Sequence, residues 1–174
     1  MITAPHAAKY WWEELQPTEG KRGDRGALAR LRRCATVAEA MQEEATIGLF
    51  RRVGARGPAD LSLVALAASV LSHVRKDLPG TVARAVGPTS PEKSDTATLK
   101  PMRFRRLLEA DGPDERLTAF RRLVALAGGK LPVGDLAEAL LDWSEHRRRR
   151  WIYDYWSAGT PLQVSPSQPK DTAA

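Results

Sequence analysis

Residues 59–76 decide what the rest of the chain must do. In ADLSLVALAASVLSHVRK the side chains Leu61, Leu63, Val64, Leu66, Val70, Leu71 and Val74 fall on nearly every side of a helix. A helix that is apolar all round has no face to give to water, so other helices must wrap it. The apolar run covers residues 61–74, about 14 positions, and includes Ser and His, which is too short to cross a bilayer. Pro58 stands where a first-turn proline is tolerated. Arg75 and Lys76 suit the negative end of the helix dipole. The chain therefore needs a helical bundle with this segment at its centre.

The other periodic stretches supply the wrapping. Apolar positions recur at helical spacing, and no convincing strand pattern is present. Trp11, Trp12 and Leu15 mark a helix over residues 5–16. Asp24 is a good N-cap for a second helix carrying Leu28, Leu31 and Ala35. Thr36 can cap a third, through Met41, Ile47 and Phe50, with an interruption near Gly48. After the central helix, residues 77–99 turn rich in Pro, Gly, Ser and Thr, which reads as a linker or long loop. Helices then follow over residues 102–110, 113–127, 133–145 and 147–156. Phe104, Leu107 and Leu108, then Leu117, Phe120, Leu123, Val124 and Ala127, then Leu136, Ala139, Leu140 and Trp143 mark the buried sides. The expectation is an all-α protein of about eight helices in two small helical-bundle domains. The first covers residues 1–77, the linker 78–100 and the second 101–158, with a disordered tail over 159–174.

Several functions are excluded by what is missing. A single cysteine, Cys34, rules out a disulfide scaffold or a Cys-rich zinc module, and it reads as a small buried hydrophobe. His6, His73 and His146 share no metal-ligand spacing, and His73 on its apolar helix reads as a hydrogen-bonded core residue. GARGPAD lacks the Gly-Lys-Ser/Thr ending of a phosphate loop. No nucleophilic, acid–base or metal constellation is present, so neither enzyme activity nor a cofactor is expected. The N-terminal MITAPHAAKYWWEEL lacks the basic-then-apolar order of a signal peptide, so a cytoplasmic location is expected.

What stands out is arginine. The chain has 20 Arg and 7 Lys, and basic residues outnumber acidic ones 27 to 21, a formal net charge of +6. A GC-rich genome favours Arg and Ala over Lys and would account for the type of residue. It does not account for clustering, which is the footprint of a nucleic-acid binder. Lys21, Arg22, Arg25, Arg32 and Arg33 form one cluster. Arg103, Arg105 and Arg106 crowd a short helix whose other face must be buried. Arg121 and Arg122 are adjacent, with Arg122 opposite the apolar stripe. Arg147, Arg148, Arg149 and Arg150 are consecutive, so they splay around a helix and some must pair with acids such as Glu145 or Asp154. Guanidinium suits phosphate oxygens, but a solvated face remains the competing account of each cluster. Among the aromatics of the last helix, Trp151 and Tyr155 share a face and are expected to anchor it; Tyr153 and Trp156 could stack on bases.

The stretch RFRRLLEADGPDERLTAFRRLVALAGGKLPVGDLAEALLDWSEHRRRRWIYDYW resembles the CasB small subunit of the type I-E CRISPR Cascade complex. WWEELQ, the basic loop after it and GALARLRRC are similar to the opening of that family, so the resemblance covers about residues 8–156. It implies an all-α, non-catalytic subunit present in two head-to-tail copies within a larger ribonucleoprotein. It implies contact with other Cascade subunits, guide RNA, target DNA and the displaced single strand, no membrane, and a role in stabilising the R-loop in antiviral defence. It places the nucleic-acid surface on the same clusters: Lys21, Arg22 and Arg25, Arg32 and Arg33, Arg103 to Arg106, Arg121 and Arg122, and Arg147 to Arg150. Two other classes stay open, a free-standing helical DNA-binding regulator and a scaffold without a nucleic-acid role. Against the regulator, no helix pair has the short Gly turn and exposed polar recognition helix it would need.

Overall fold

The computed structural model describes residues 1–161. Among them, α1 (Ala7–Leu15), α2 (Arg25–Arg33), α3 (Val37–Met41) and α4 (Glu44–Arg52) precede α5 (Pro58–Leu71). After it come α6 (Val82–Val86), α7 (Pro101–Glu109), α8 (Pro113–Leu126), α9 (Val133–Leu141) and α10 (Glu145–Tyr155). The all-α expectation holds, with ten α-helices among the described residues where about eight were expected.

Helix α5 occupies the centre, and every residue from Val64 to Leu71 is buried. It packs against α2, α3 and α4 from the first half of the chain and α8 and α9 from the second. Its leucines and those facing it (Leu66, Leu71, Leu117, Leu123, Leu136 and Leu140) are almost wholly buried. Each stabilises the fold by roughly 1.5–3 kcal/mol relative to exposure. A second focus lies at the end of the chain. Phe120, Trp143 and Trp151 meet edge to face, with centroids 5.2, 6.0 and 5.0 Å apart. Phe104 stacks on Tyr155 at 3.9 Å, and the Tyr155 hydroxyl donates to the Leu99 carbonyl at 2.6 Å. Burial pushes that phenol up to about 12. Trp151 and Tyr155 thus anchor α10, as their shared face suggested.

Four boundaries differ from the sequence reading. The third expected helix is two, α3 and α4, and the break falls at Gln42–Glu43 rather than near Gly48. There Glu43 is extended and its carboxylate takes a 3.1 Å hydrogen bond from Arg30, while Gly48 lies inside α4. The helix expected over 133–145 stops at Leu141. Ser144 caps the next helix by accepting from the Arg147 amide, and Trp143 is buried from the connection between them.

The segment expected as a linker, 78–100, is packed. It holds α6 and a 3-10 turn, Ser94–Thr96. Val82, Ala83, Val86, Ala97 and Leu99 join the same apolar cluster that contains Ala8 and Tyr155. Asp135 ties its start by accepting from the Val82 amide at 2.8 Å. At its end, a Cβ on Gly87 would collide with the carbonyl oxygens of Tyr155 and Ala83, so only glycine lets α6 lie this close to α10. Lastly, two short parallel strands, β1 (Lys76–Asp77) and β2 (Lys130–Leu131), join the halves in a register that sets Lys76 beside Lys130. Two-residue strands leave no alternation to read, and their pairing is tertiary. Of the expected tail, residues 162–174 lie outside the described residues.

Candidate nucleic-acid interface

The helix pair α7–α8 makes a groove of about 890 Å³. Phe104 and Leu107 of α7 are buried, which turns Arg103, Arg105 and Arg106 outward. Arg103 and Arg106 line the groove from α7, and Arg122 lines it from α8. Its floor is apolar, from Leu99, Leu107 and Leu123, and Leu126 stands 39% exposed at the edge. Glu109 and Glu115 also reach it, but Glu115 accepts from the Asp111 amide. Among the described residues, Arg103, Arg106 and Arg122 form no ion pair. Arg105 is exposed on the outer side of the same helix. Unpaired guanidinium groups along an apolar-floored groove can take phosphate oxygens outside and base or sugar surface inside.

Arg121, one residue away, does something different. Its Nη2 donates to the Ser69 hydroxyl at 2.6 Å and to the Leu31 carbonyl at 3.2 Å. It is half-buried, and burial pulls its pKa down. The structure therefore corrects its expected place on the basic surface: Arg121 turns inward and fastens α8 to α5 and to the end of α2. A helix places successive residues about 100° apart, so an adjacent pair cannot share one face. His73 lies beside this arginine. Burial and the charges of Arg121, Arg32 and Arg75 push it down to about 4. Its Nε2 is buried without a partner, so the hydrogen-bonded core histidine expected from sequence is not what forms. Cys34 is buried as expected, and burial raises its thiol.

The N-terminal cluster divides. Lys21 and Arg22 are exposed on a loop closed by mutual backbone hydrogen bonds between Thr18 and Lys21. Arg25 opens α2. Arg32 Nε donates to the Ser72 carbonyl at 2.7 Å, and with Arg25 it lines a pocket of about 610 Å³ against the end of α1. Arg33 faces a different depression, with Arg30, Glu39 and Glu43. Arg75 and Lys76, seen in sequence only as dipole partners of the central helix, line the Arg32 pocket too. The clue was available: cations ending a wholly buried helix must emerge somewhere.

The arginine run of α10 is partly neutralised. Arg147 bonds Glu138 at 3.0 Å and is mostly buried. Arg149 bonds Glu145 at 2.8 Å, one helical turn back. Arg148 is half-buried, and Arg150 is exposed. The groove residues and the pocket residues line different depressions, and the α10 run lines neither of them. Among the described residues, no three His, Cys, Asp or Glu side chains gather to hold a metal, and no helix is long and apolar enough to cross a membrane.

These features define an all-α protein whose unpaired arginines line grooves on a closed helical core. Residues 27–156 match the family described as CRISPR-associated protein Cse2 (CRISPR_cse2), and the chain belongs to that family, the CasB family of type I-E systems. No curated protein matches the sequence. A chain in the crystal structure of E. coli Cascade bound to a PAM-containing dsDNA target with a 32-nt spacer has the same fold. The TM-score is 0.64 at 18% sequence identity, covering 92% of this chain and 99% of that one.

Proposed function

We propose that this protein is a non-catalytic subunit of a type I-E Cascade complex that binds nucleic acid and stabilises the R-loop. Its partners in this reading are the other Cascade subunits, guide RNA, target DNA, the displaced strand and a second copy of itself, in the cytoplasm. Family membership supports the assembly, and the match to a chain of a DNA-bound Cascade is in keeping with it. The observation that carries nucleic-acid binding is the α7–α8 groove, where Arg103, Arg106 and Arg122 outnumber Glu109 and Glu115 and, among the described residues, form no ion pair.

R-loop formation exchanges one duplex for another of similar stability, so a few backbone contacts tip the balance. Arginines that hold an otherwise free strand add that increment without reading its sequence, since phosphate contacts position rather than specify. The test is a salt titration of single-strand binding. Each phosphate contact on a single strand contributes about 0.7 to the slope of log affinity against log salt. The Arg103→Ala/Arg106→Ala double variant should flatten that slope by roughly 1.4 and weaken binding alike for all base sequences. In the assembled complex, guide RNA should stay bound while R-loops become less complete. Coincident slopes and equal affinity would make the groove a solvated face.

A further inference from the structure

The second basic region, between the end of α1, the start of α2 and the exit of α5, is a built pocket rather than a patch. Its floor comes from a loop folded back on itself. Gly23 has φ +59°, and a Cβ there would meet the Leu15 and Gln16 backbone at 2.5–2.7 Å. The Asp24 amide donates to the Leu15 carbonyl at 3.0 Å. This presses the start of α2 against the end of α1 and leaves about 610 Å³ open beside it. Trp12 and Leu28 give apolar walls. The Trp12 indole N–H is already engaged, donating to the Val74 carbonyl at 3.0 Å.

Four cations line this space: Arg25, Arg32, Arg75 and Lys76. Among the described residues none is in an ion pair. Two acids, Glu13 and Asp77, line it as well; Asp77 is occupied on both oxygens, by Lys9 at 2.9 Å and by the Val133 amide at 2.9 Å. Arg25 stands at the first position of α2, where the helix dipole favours an acid and opposes a cation. Such local conflicts concentrate at functional sites. Burial, and after it the charge of Arg75, pull Arg32 down, as expected of an arginine drawn partly into the core beside another cation. Finally, Gln16 lines the pocket, and its amide nitrogen is buried with no partner.

The cavity is far larger than a phosphate alone and has the size of a small-molecule site; its lining is mainly charged and polar, with Trp12, Pro17 and Leu28 as the apolar part. We infer that it takes one nucleotide of a single strand, with its phosphate among Arg25, Arg32, Arg75 and Lys76 and its base against Trp12, Leu28 and the Gln16 amide. This rests on the single-strand binding proposed above and adds a base-dependent term to it. Seating one base adds roughly tenfold in affinity over a strand that has none.

The experiment compares a fluorescent 12-mer of thymidylate with an abasic 12-mer of the same backbone, using the full chain at low salt. The wild type should bind thymidylate about tenfold tighter. Gln16→Ala/Arg75→Ala should abolish most of that ratio. Among the described residues the Arg75 side chain forms no hydrogen bond or ion pair; Arg25→Ala, at an exposed phosphate contact, should weaken both strands alike. Arg103→Ala/Arg106→Ala should weaken both strands and leave the ratio intact. Equal binding of the two strands by the wild type, or a ratio that survives in Gln16→Ala/Arg75→Ala, overturns the nucleotide pocket while the groove reading stands. Failure to bind either strand removes both.

Discussion

Helices α7 and α10 both carry dense arginine runs, three in four positions in one and four in four in the other, yet they reach different electrostatic states. On α7 one face is buried through Phe104 and Leu107, and Arg103 and Arg106 are left unpaired along a groove. On α10 consecutive arginines splay around the helix. Arg147 reaches Glu138, Arg149 reaches Glu145, and Trp151 and Tyr155 hold the helix in the core. The difference teaches that a run of charge in sequence is not a patch of charge in space. Burial of the opposite face concentrates it, and nearby carboxylates remove it.

The largest effect comes from breaking the anchor that makes α10 what it is. Trp151 is 1% exposed and meets both Phe120 and Trp143. Trp151→Ala should destabilise the protein by about 3–5 kcal/mol in denaturant unfolding. An unchanged midpoint would mean that α10 does not depend on the core and that its arginines are as free as those of α7.

Next is the pair Arg121 and Arg122, the same contrast at adjacent positions. Arg121→Ala removes the charged donor to Ser69 and Leu31 and should cost about 1–3 kcal/mol of stability. Arg122→Ala should change stability by less than about 0.5 kcal/mol but weaken strand binding. If the two effects were exchanged, the inward and outward assignments would be reversed.

The burial of His73, reinforced by the nearby Arg121, Arg32 and Arg75, leaves a pH signature as well. His73 titrates near 4 in the fold, below its ordinary 6.5. Between these values the unfolded chain binds more protons than the native one, so stability rises with pH across that window. The contribution is full above about pH 6.5 and is lost as pH falls toward 4. Because His73 is only half-buried, solvent moderates its size. His73→Gln should flatten the stability profile between pH 4 and 6.5. An unaltered profile would show that neither burial nor the surrounding cations hold His73 below its ordinary value.

The sequence made the architecture legible where one helix had no polar face. Once residues 59–76 had to be central, the stripes of the surrounding helices followed. It misled where a short segment was fixed by distant partners. Val82 and Val86 sit amid Pro, Gly, Ser and Thr, and only the Asp135 contact and the close approach to Tyr155 make that stretch a helix. The groove on α7 was visible because Phe104 and Leu107 imply which way Arg103 and Arg106 face. The Arg32 pocket was half visible, since Arg75 and Lys76 approach it from 43 and 44 positions further along the chain. The inward turn of Arg121 depended on Ser69, which no local pattern connects to it.

The smallest expected effect tests the pairing argument itself. Arg149 and Glu145 are both mostly exposed, with side chains 72% and 81% accessible, so their ion pair stabilises by only about 0.3–0.5 kcal/mol. A phosphate can compete with so weak a pair but gains less than from an unpaired arginine. Arg149→Ala should therefore flatten the salt slope by less than the roughly 0.7 expected for Arg103→Ala. Glu145→Gln removes the competitor and should raise strand affinity slightly. In that background Arg149→Ala should approach the full 0.7. If Arg149→Ala already matches Arg103→Ala in the wild type, the carboxylate withholds nothing, and the two helices differ only in shape. If it changes nothing in either background, α10 does not face the strand, and the groove between α7 and α8 is where the α7 arginines differ from those of α10 in function as well as in pairing.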